Sequence, residues 1–377
     1  MESAPFTSWA PIDARDLPAR GWLYGNHYVR KFASVTVSPG GVGKSTLVLA
    51  EAIAMATGRS ILGIKPRCAC RVVYFNAEDP IEEIQRRVLA ICWHHKIDQS
   101  DLVGRLFVAS GRDHELILQG SDGAVSEEVF ALIEGYARAH DIDVFVFDPL
   151  ANMVEGPETN EAFARLGKRL SRTADNLNCA IELVHHTRKL NGNVADIEDS
   201  RGGIALIGSV RSGRTLIPML PEEAIRAGLD SHVDHFRIAA RGKSNLSRNA
   251  TLSKWFRRVG IRLDNGDNVA SIEAWDWPDA LEGVTGSDIL KVQDRVSASE
   301  PPPRADSRAK DWIGRIVAEE IGLDLEKASD KARAKAIMDL WVGEKYLAVE
   351  TVRDKVKGRD VRIVVRGPMT PMAEGAA

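Results

Sequence analysis

The stretch Val37–Thr46, VSPGGVGKST, follows the β-type run Lys31–Val37 (KFASVTV) and leads into the alanine-rich apolar run Thr46–Thr57 (TLVLAEAIAMAT). A glycine-rich turn from a strand into a buried helix aims backbone N–H groups outward at a helix N-terminus, where they cradle an anion. The pattern G-x-x-x-x-G-K-[ST] adds a cation and a hydroxyl to that cradle. Ser38 stands where the first glycine belongs, while Gly43, Lys44 and Ser45 match. Gly40 and Gly41 keep the loop permissive, and Val42 and Thr46 complete the segment expected to wrap the phosphates. In such a loop Lys44 neutralises β- and γ-phosphates and the Ser45 hydroxyl ligates magnesium, so ATP and Mg2+ are the expected cofactors.

The flanking sequence sets the fold class. Strand-type runs at Arg71–Phe75, Leu106–Ala109, Asp143–Phe147 and Cys179–Val184 alternate with helical patterns at Pro80–Ile91, Ser126–His140 and Asn160–Asn178. Strands apolar on both faces and alternating with helices predict an α/β fold, a mostly parallel sheet covered on both sides. Gly58 is expected to stop the first helix. Ligands of such sheets gather at the carboxyl ends of the strands, so polar residues there become candidates. Asp148 ends DVFVFD and is the candidate second magnesium ligand. Glu78, in NAED after RVVYF, is the candidate to deprotonate an attacking water, with Asp79 before Pro80 as a helix cap. The pair His185-His186 follows CAIELV, where a histidine can sense a γ-phosphate.

The net charge of −3 argues against a globally basic nucleic-acid coat protein, though not against local basic loops. No apolar run reaches the roughly 18 residues of a membrane span. The N-terminus lacks the pattern of a secretory signal, and the expected location is the cytoplasm. Cys68 and Cys70 form a C-x-C near His94 and His95, but no second ligand pair at zinc spacing is clear.

Beyond residue 205 the pattern changes. Val210–Leu220, His235–Ala240 and Ser253–Arg258 read as strands that extend the sheet through hairpins. The expected organisation is an ATPase domain over residues 1–282 with a leading segment 1–30, a proline-bearing linker over 283–305, a small domain over 306–370 and a disordered tail over 371–377. Within the small domain, Arg308–Leu340 reads as helical, and Tyr346–Val365 as a helix (VETVRDKVK) followed by a strand (VRIVV). That ending is compatible with a winged helix or with a small helical appendage.

The segment 187–203, TRKLNGNVADIEDSRGG, has no periodicity and is longer than an ordinary connection. Arg188, Lys189 and Arg201 are its candidate contacts to a phosphate backbone, against an acidic centre at Asp196, Glu198 and Asp199. Arg211, Arg214 and Lys243 follow, and one of them is a candidate to reach a neighbouring subunit's γ-phosphate.

In this order VSPGGVGKS, VVYFNAEDP, VFVFDPL, LVHHTRK, SRGGIALIGSVR and RGKSN, followed by KWFRR, resemble the ATPase core of plasmid RepA-like hexameric helicases, from about Pro18 to about Arg258. The resemblance implies a RecA-like core and a ring of six subunits with ATP bound between neighbours. It implies Glu78 as the base, Asp148 as the Walker B carboxylate, His186 as the γ-phosphate sensor and Arg211 as the trans arginine finger. Lys243 is a second cation candidate at that interface. The loop after His186 would line the channel with basic residues and hold single-stranded DNA. Two functions follow as expectations. One is an ATP-driven motor on single-stranded DNA, a ring-shaped replicative DNA helicase of a plasmid, phage or prophage. The other is a nucleotide-switched DNA-binding scaffold, a helicase loader or a recombination accessory ATPase, without unwinding activity. A protein partner of the replication or recombination machinery is expected through residues 306–370.

Overall fold

The computed structural model describes residues 8–156, 159–186, 203–239, 242–246, 253–354 and 358–371. The candidates Arg188, Lys189 and Arg201 lie outside the described residues, as does the tail after residue 371. The elements run β1 (Trp22–Tyr24), β2 (Tyr28–Val29), β3 (Ala33–Ser38), α1 (Lys44–Thr57), β4 (Val72–Asn76), α2 (Ile81–His95), β5 (Leu106–Ser110), α3 (Glu127–His140), β6 (Val144–Asp148), α4 (Asn160–Leu177) and β7 (Ala180–His186). They continue with α5 (Gly203–Ser209), β8 (Ser212–Pro218), α6 (Pro221–Ala227), β9 (His235–Ile238), β10 (Lys243–Ser244), β11 (Lys254–Arg262), β12 (Asn268–Trp275), α7 (Gly286–Ala298), α8 (Ile313–Ile321), α9 (Ala328–Gly343), β13 (Leu347–Asp354) and β14 (Arg359–Arg366). Two compact units result: residues 1–217 with 236–275, and residues 218–235 with 276–377.

The first unit is built on a sheet in the order β12-β11-β9-β8-β3-β7-β6-β4-β5, with β10 paired to β8. The strands from β8 to β5 pair in parallel, and β11 with β12 closes an antiparallel hairpin. One strand, β7, separates β3 from β6. Successive side chains of a strand point to opposite faces. On β6, Val144 and Val146 join the core beneath α1 and α2, while Phe145 and Phe147 join the core beneath α3 and α4. This is why the run reads as continuously apolar. Helix α1 is buried from Thr46 to Ala56, its alanines letting it lie close on the sheet. It stops at Gly58, whose φ of +70° is the left-handed cap that glycine takes at little cost.

The second unit has its own core of Val292, Trp312, Ile313, Val317, Ile337 and Trp341, with Leu347 and Val364. Three expectations change here. The 283–305 stretch contains the helix α7, capped by Thr285, whose hydroxyl accepts from the Asp288 N–H while Asp288 accepts from the Thr285 N–H. VETVRD, read as the start of a helix, is strand: Leu347–Asp354 form β13, paired antiparallel with β14 from Leu347↔Arg366 to Asp354↔Arg359. The segment 218–235, expected in the ATPase domain, clusters with the C-terminal unit through α6 against α9.

Candidate active site

Because β3, β7, β6 and β4 are parallel, their last residues share one edge, with Ser38 level with His186 and Asn76 level with Asp148. The glycine loop leaves β3 at this edge. Gly41 (φ +78°) and Gly43 (φ +114°) hold conformations that other residues adopt only under strain. A methyl group added at Gly40 or Gly41 would meet nothing within 4 Å, whereas at Gly43 it would press on Phe236 and Arg258. The loop is thus open on its outer side and tightly backed at Gly43. Ser38 is buried and donates its hydroxyl to the Pro39 carbonyl, which is how a serine fits where the pattern has glycine.

Lys44 is 5% exposed and donates to the carbonyls of Ser38 (3.2 Å) and Pro39 (3.0 Å). Its Nζ also lies 3.2 Å from His186 Nδ1. An ammonium only donates, so Nδ1 is the acceptor and the imidazole proton resides on Nε2. Burial and then Lys44 hold the His186 pKa below its ordinary value, in keeping with a neutral ring. His185, next in sequence, points to the other face of the strand. It is buried against the Phe163 ring, and burial takes its pKa down to about 4. The histidine pair is therefore split, with only His186 at the loop.

Asp148 is 1% exposed, accepts from Tyr74 Oη at 2.7 Å, and lies near enough to the Ser45 hydroxyl to feel its pull. Burial raises its pKa against the pull of Tyr74, Ser45 and Lys44. A buried carboxylate beside a hydroxyl, both hard oxygen donors under an open phosphate cradle, fits Mg2+. Ser45 and Asp148 would hold that ion, which when bound supplies charge neutralisation to the phosphates.

Glu78 is exposed, lines the same concavity, and its carboxylate makes no hydrogen bond among the described residues. Contrary to the sequence expectation, the adjacent Asp79 does not cap α2. The N-cap is Pro80, and Asp79 pairs with Arg87 at 2.7 Å. Asn76 Oδ1 accepts from the N–H groups of both Glu78 and Asp79 (3.0 and 2.7 Å), fixing the turn that presents Glu78.

The other cations separate. Arg214, one of three candidates for a trans contact, is buried and unavailable: Nη1 and Nη2 grip Glu51 of α1 at 2.7 and 2.5 Å, and Nε donates to Thr36 at 2.8 Å. Tyr28 donates to the same Glu51 carboxylate at 2.8 Å. Beside it Glu182 accepts from Ser34 and Thr36 and pairs with His27 at 2.9 Å. Although burial pushes Glu182 up, His27 and then Arg214 hold its pKa below the usual range. Arg211 is exposed at the start of β8, its N–H donating to Ala33 at the opposite end of β3 from the loop. Lys243 Nζ donates to the carbonyls of Ile207 (2.5 Å) and Gly208 (2.7 Å) at the end of α5, and lies near enough to Arg211 for burial and that charge to lower its pKa.

Two features escaped the sequence reading. Arg258, in KWFRR, donates to the Gly41 carbonyl at 2.9 Å and lines the concavity of about 650 Å³ around the loop. Arg86 of α2 pairs with Asp267 at 2.8 Å, bringing the turn before β12 to the same concavity. The motif KWFRR flagged the arginines, but only the pairing of distant strands shows that one covers the loop.

The Lys44 environment carries a pH dependence. Burial lowers its pKa to about 8, against the pull of Asp148 and Glu78. A bound phosphate favours the charged form. Nucleotide affinity is therefore expected to be insensitive to this group below about pH 8 and to fall above it, by up to about tenfold per pH unit. Titration of a fluorescent ATP analogue between pH 6.5 and 9.5 checks this. Lys44→Arg, whose guanidinium does not titrate there, should remove the alkaline fall even though it binds more weakly.

A phosphate loop at the tip of a parallel strand, a buried carboxylate two strands away and one strand between define a P-loop ATPase with a RecA-like fold. Residues 2–192 match the AAA domain family, and the chain belongs to it. Among solved structures, a KaiC-like protein from the hyperthermophilic archaeon Pyrococcus horikoshii OT3 is similar, with a TM-score of 0.44 and 13% identity over 67% of this chain and 94% of that one. Among the described residues no helix is long and apolar enough to cross a membrane.

Proposed function

We propose that this ATPase is a ring-forming motor on single-stranded DNA, a replicative DNA helicase of the RepA-like kind, with ATP and Mg2+ shared between neighbouring subunits. The observation that carries the reading is the separation of Arg211 from its own loop. β3 and β8 are parallel, and Arg211 sits where β3 begins while the phosphates would sit where it ends. Six residues of strand span about 20 Å. Arg211 thus has no route to its own nucleotide and suits a neighbour's, with Lys243 beside it. Within one site Lys44 would hold the phosphates, Glu78 would take the proton of the attacking water, and His186 would offer Nε2–H to the γ-phosphate. Hydrolysis would then depend on assembly, as a motor requires.

The test mixes two inactive proteins. Lys44→Ala lacks a working loop and Arg211→Ala lacks the contributed cation. In mixtures, subunit pairs with an intact loop facing an intact Arg211 should restore ATPase activity, stimulated by single-stranded DNA, to an appreciable fraction of wild type. No recovery, or normal hydrolysis by Arg211→Ala alone, rejects shared sites. The same preparation should displace an annealed strand with ATP. DNA binding without displacement would instead favour the scaffold or loader reading.

A further inference from the structure

The C-terminal unit carries a charge pattern that the ATPase site does not use. Its elements run in the order helix α7, the single bridged residue Arg304, helices α8 and α9, then the β13–β14 hairpin. Arg304 bridges Ile363 of β14 in antiparallel fashion, so the segment after α7 lies along the hairpin. One concavity of about 900 Å³ in this corner is lined by Arg304, Arg308, Lys310, Arg359 and Arg362, against Asp306, Asp311 and Asp360. The three carboxylates are engaged: Asp306 with Arg308 at 2.8 Å, Asp311 with Arg304 at 3.5 Å, and Asp360 with Arg353 at 3.3 Å. Lys310, Arg359 and Arg362 are exposed and have no ion-pair partner among the described residues.

We propose that this corner is a winged-helix module that binds the phosphate backbone of duplex DNA through its hairpin. Three observations favour this reading, the second of them a duplex over a single strand. Most of the cluster is arginine, whose planar fork matches phosphate oxygens and is always charged. No Phe, Tyr or Trp occurs in residues 304–311 or 351–366, so there is no platform on which unstacked bases could stack, as single-strand binding uses. Helix α9 packs against α6, and its Arg333 is tied to the carbonyls of Ala280 and Glu282. The hairpin, rather than that helix, is therefore the element presented. Contacts of this kind position a protein on DNA without reading its sequence. The site is separate from the channel proposed for the single strand and does not rest on that reading.

The experiment uses the full chain and a blunt, fluorescein-labelled 25-base-pair duplex, with anisotropy titrations from 50 to 200 mM salt. Wild type should bind with a steep salt dependence. In Arg359→Ala/Arg362→Ala the slope of log affinity against log salt should shrink by about 2, one for each lost phosphate contact, and affinity at low salt should fall at least tenfold. Basal ATPase activity should be unchanged, since both residues lie outside the ATPase unit. Lys310→Glu, in an irregular segment, provides a second variant should the strand substitutions impair folding, and it should also weaken duplex binding. Wild-type affinity and slope in both variants would overturn the proposal, as would tighter binding to anionic vesicles than to duplex. A wild-type chain with no salt-dependent duplex affinity would also overturn it, leaving the face to a protein partner.

Discussion

Replacing Arg214 by methionine is expected to cost the ATPase unit about 3–5 kcal/mol, because it leaves the Glu51 carboxylate buried with only Tyr28 to hold it. The side chains of Arg214 and Glu51 are 9% and 2% exposed, so water cannot compensate. For a unit of this size the loss should appear as a fall in Tm on the order of 10 °C. Replacing both partners, Glu51→Leu with Arg214→Met, should recover most of it, since an apolar pair needs no counter-charge. Urea unfolding of the two variants beside wild type tests this. A single variant within about 1 kcal/mol of wild type would show that the pair is not what holds α1 to β8.

The second large effect concerns turnover. Glu78→Gln should leave ATP affinity near wild type, because the carboxylate makes no hydrogen bond among the described residues that the amide would disturb. It should lower the hydrolysis rate by about 10²–10⁴-fold, the usual contribution of a positioned general base. At 1.36 kcal/mol per decade that is about 3–5 kcal/mol of barrier. Asp79→Asn is the internal control. Its partly exposed pair with Arg87 is worth about 1 kcal/mol or less, and turnover should change little. Single-turnover hydrolysis measured alongside nucleotide binding distinguishes the cases. Equal loss in both variants would move the base away from Glu78.

The phosphate loop and Asp148 were legible because their chemistry is local. A strand, a turn with its glycines and a helix start occupy one contiguous string, and a strand tip needs only its own apolar run. Glu51 and Arg214 were not legible as a pair, since 163 residues separate them and neither carries a local mark of burial. Arg258 reaches the Gly41 carbonyl across 217 residues by way of strand pairing. The C-terminal hairpin was misread for a different reason. Val349, Val352 and Val356 fall at helical spacing, but the pairing of Val349 with Val364 and of Thr351 with Arg362 shows the period of two that prevailed. Gly358, with φ +64° between the strands, was the available turn signal. The helix within the 283–305 stretch was announced by Thr285 and Asp288 at capping-box spacing, a cue outweighed by the prolines that follow.

The grip of Arg214 on Glu51 also has a mechanical meaning. Glu51 lies two turns along the helix whose first residue is Lys44, and Arg214 lies three residues along the strand from Arg211. The pair ties the two elements to each other, with the phosphate-binding lysine on one and the exposed Arg211 guanidinium beside the other. In the ring proposed above, this tie would join each copy's own nucleotide to the next copy's, so a shift begun at one station would be handed on to its neighbour.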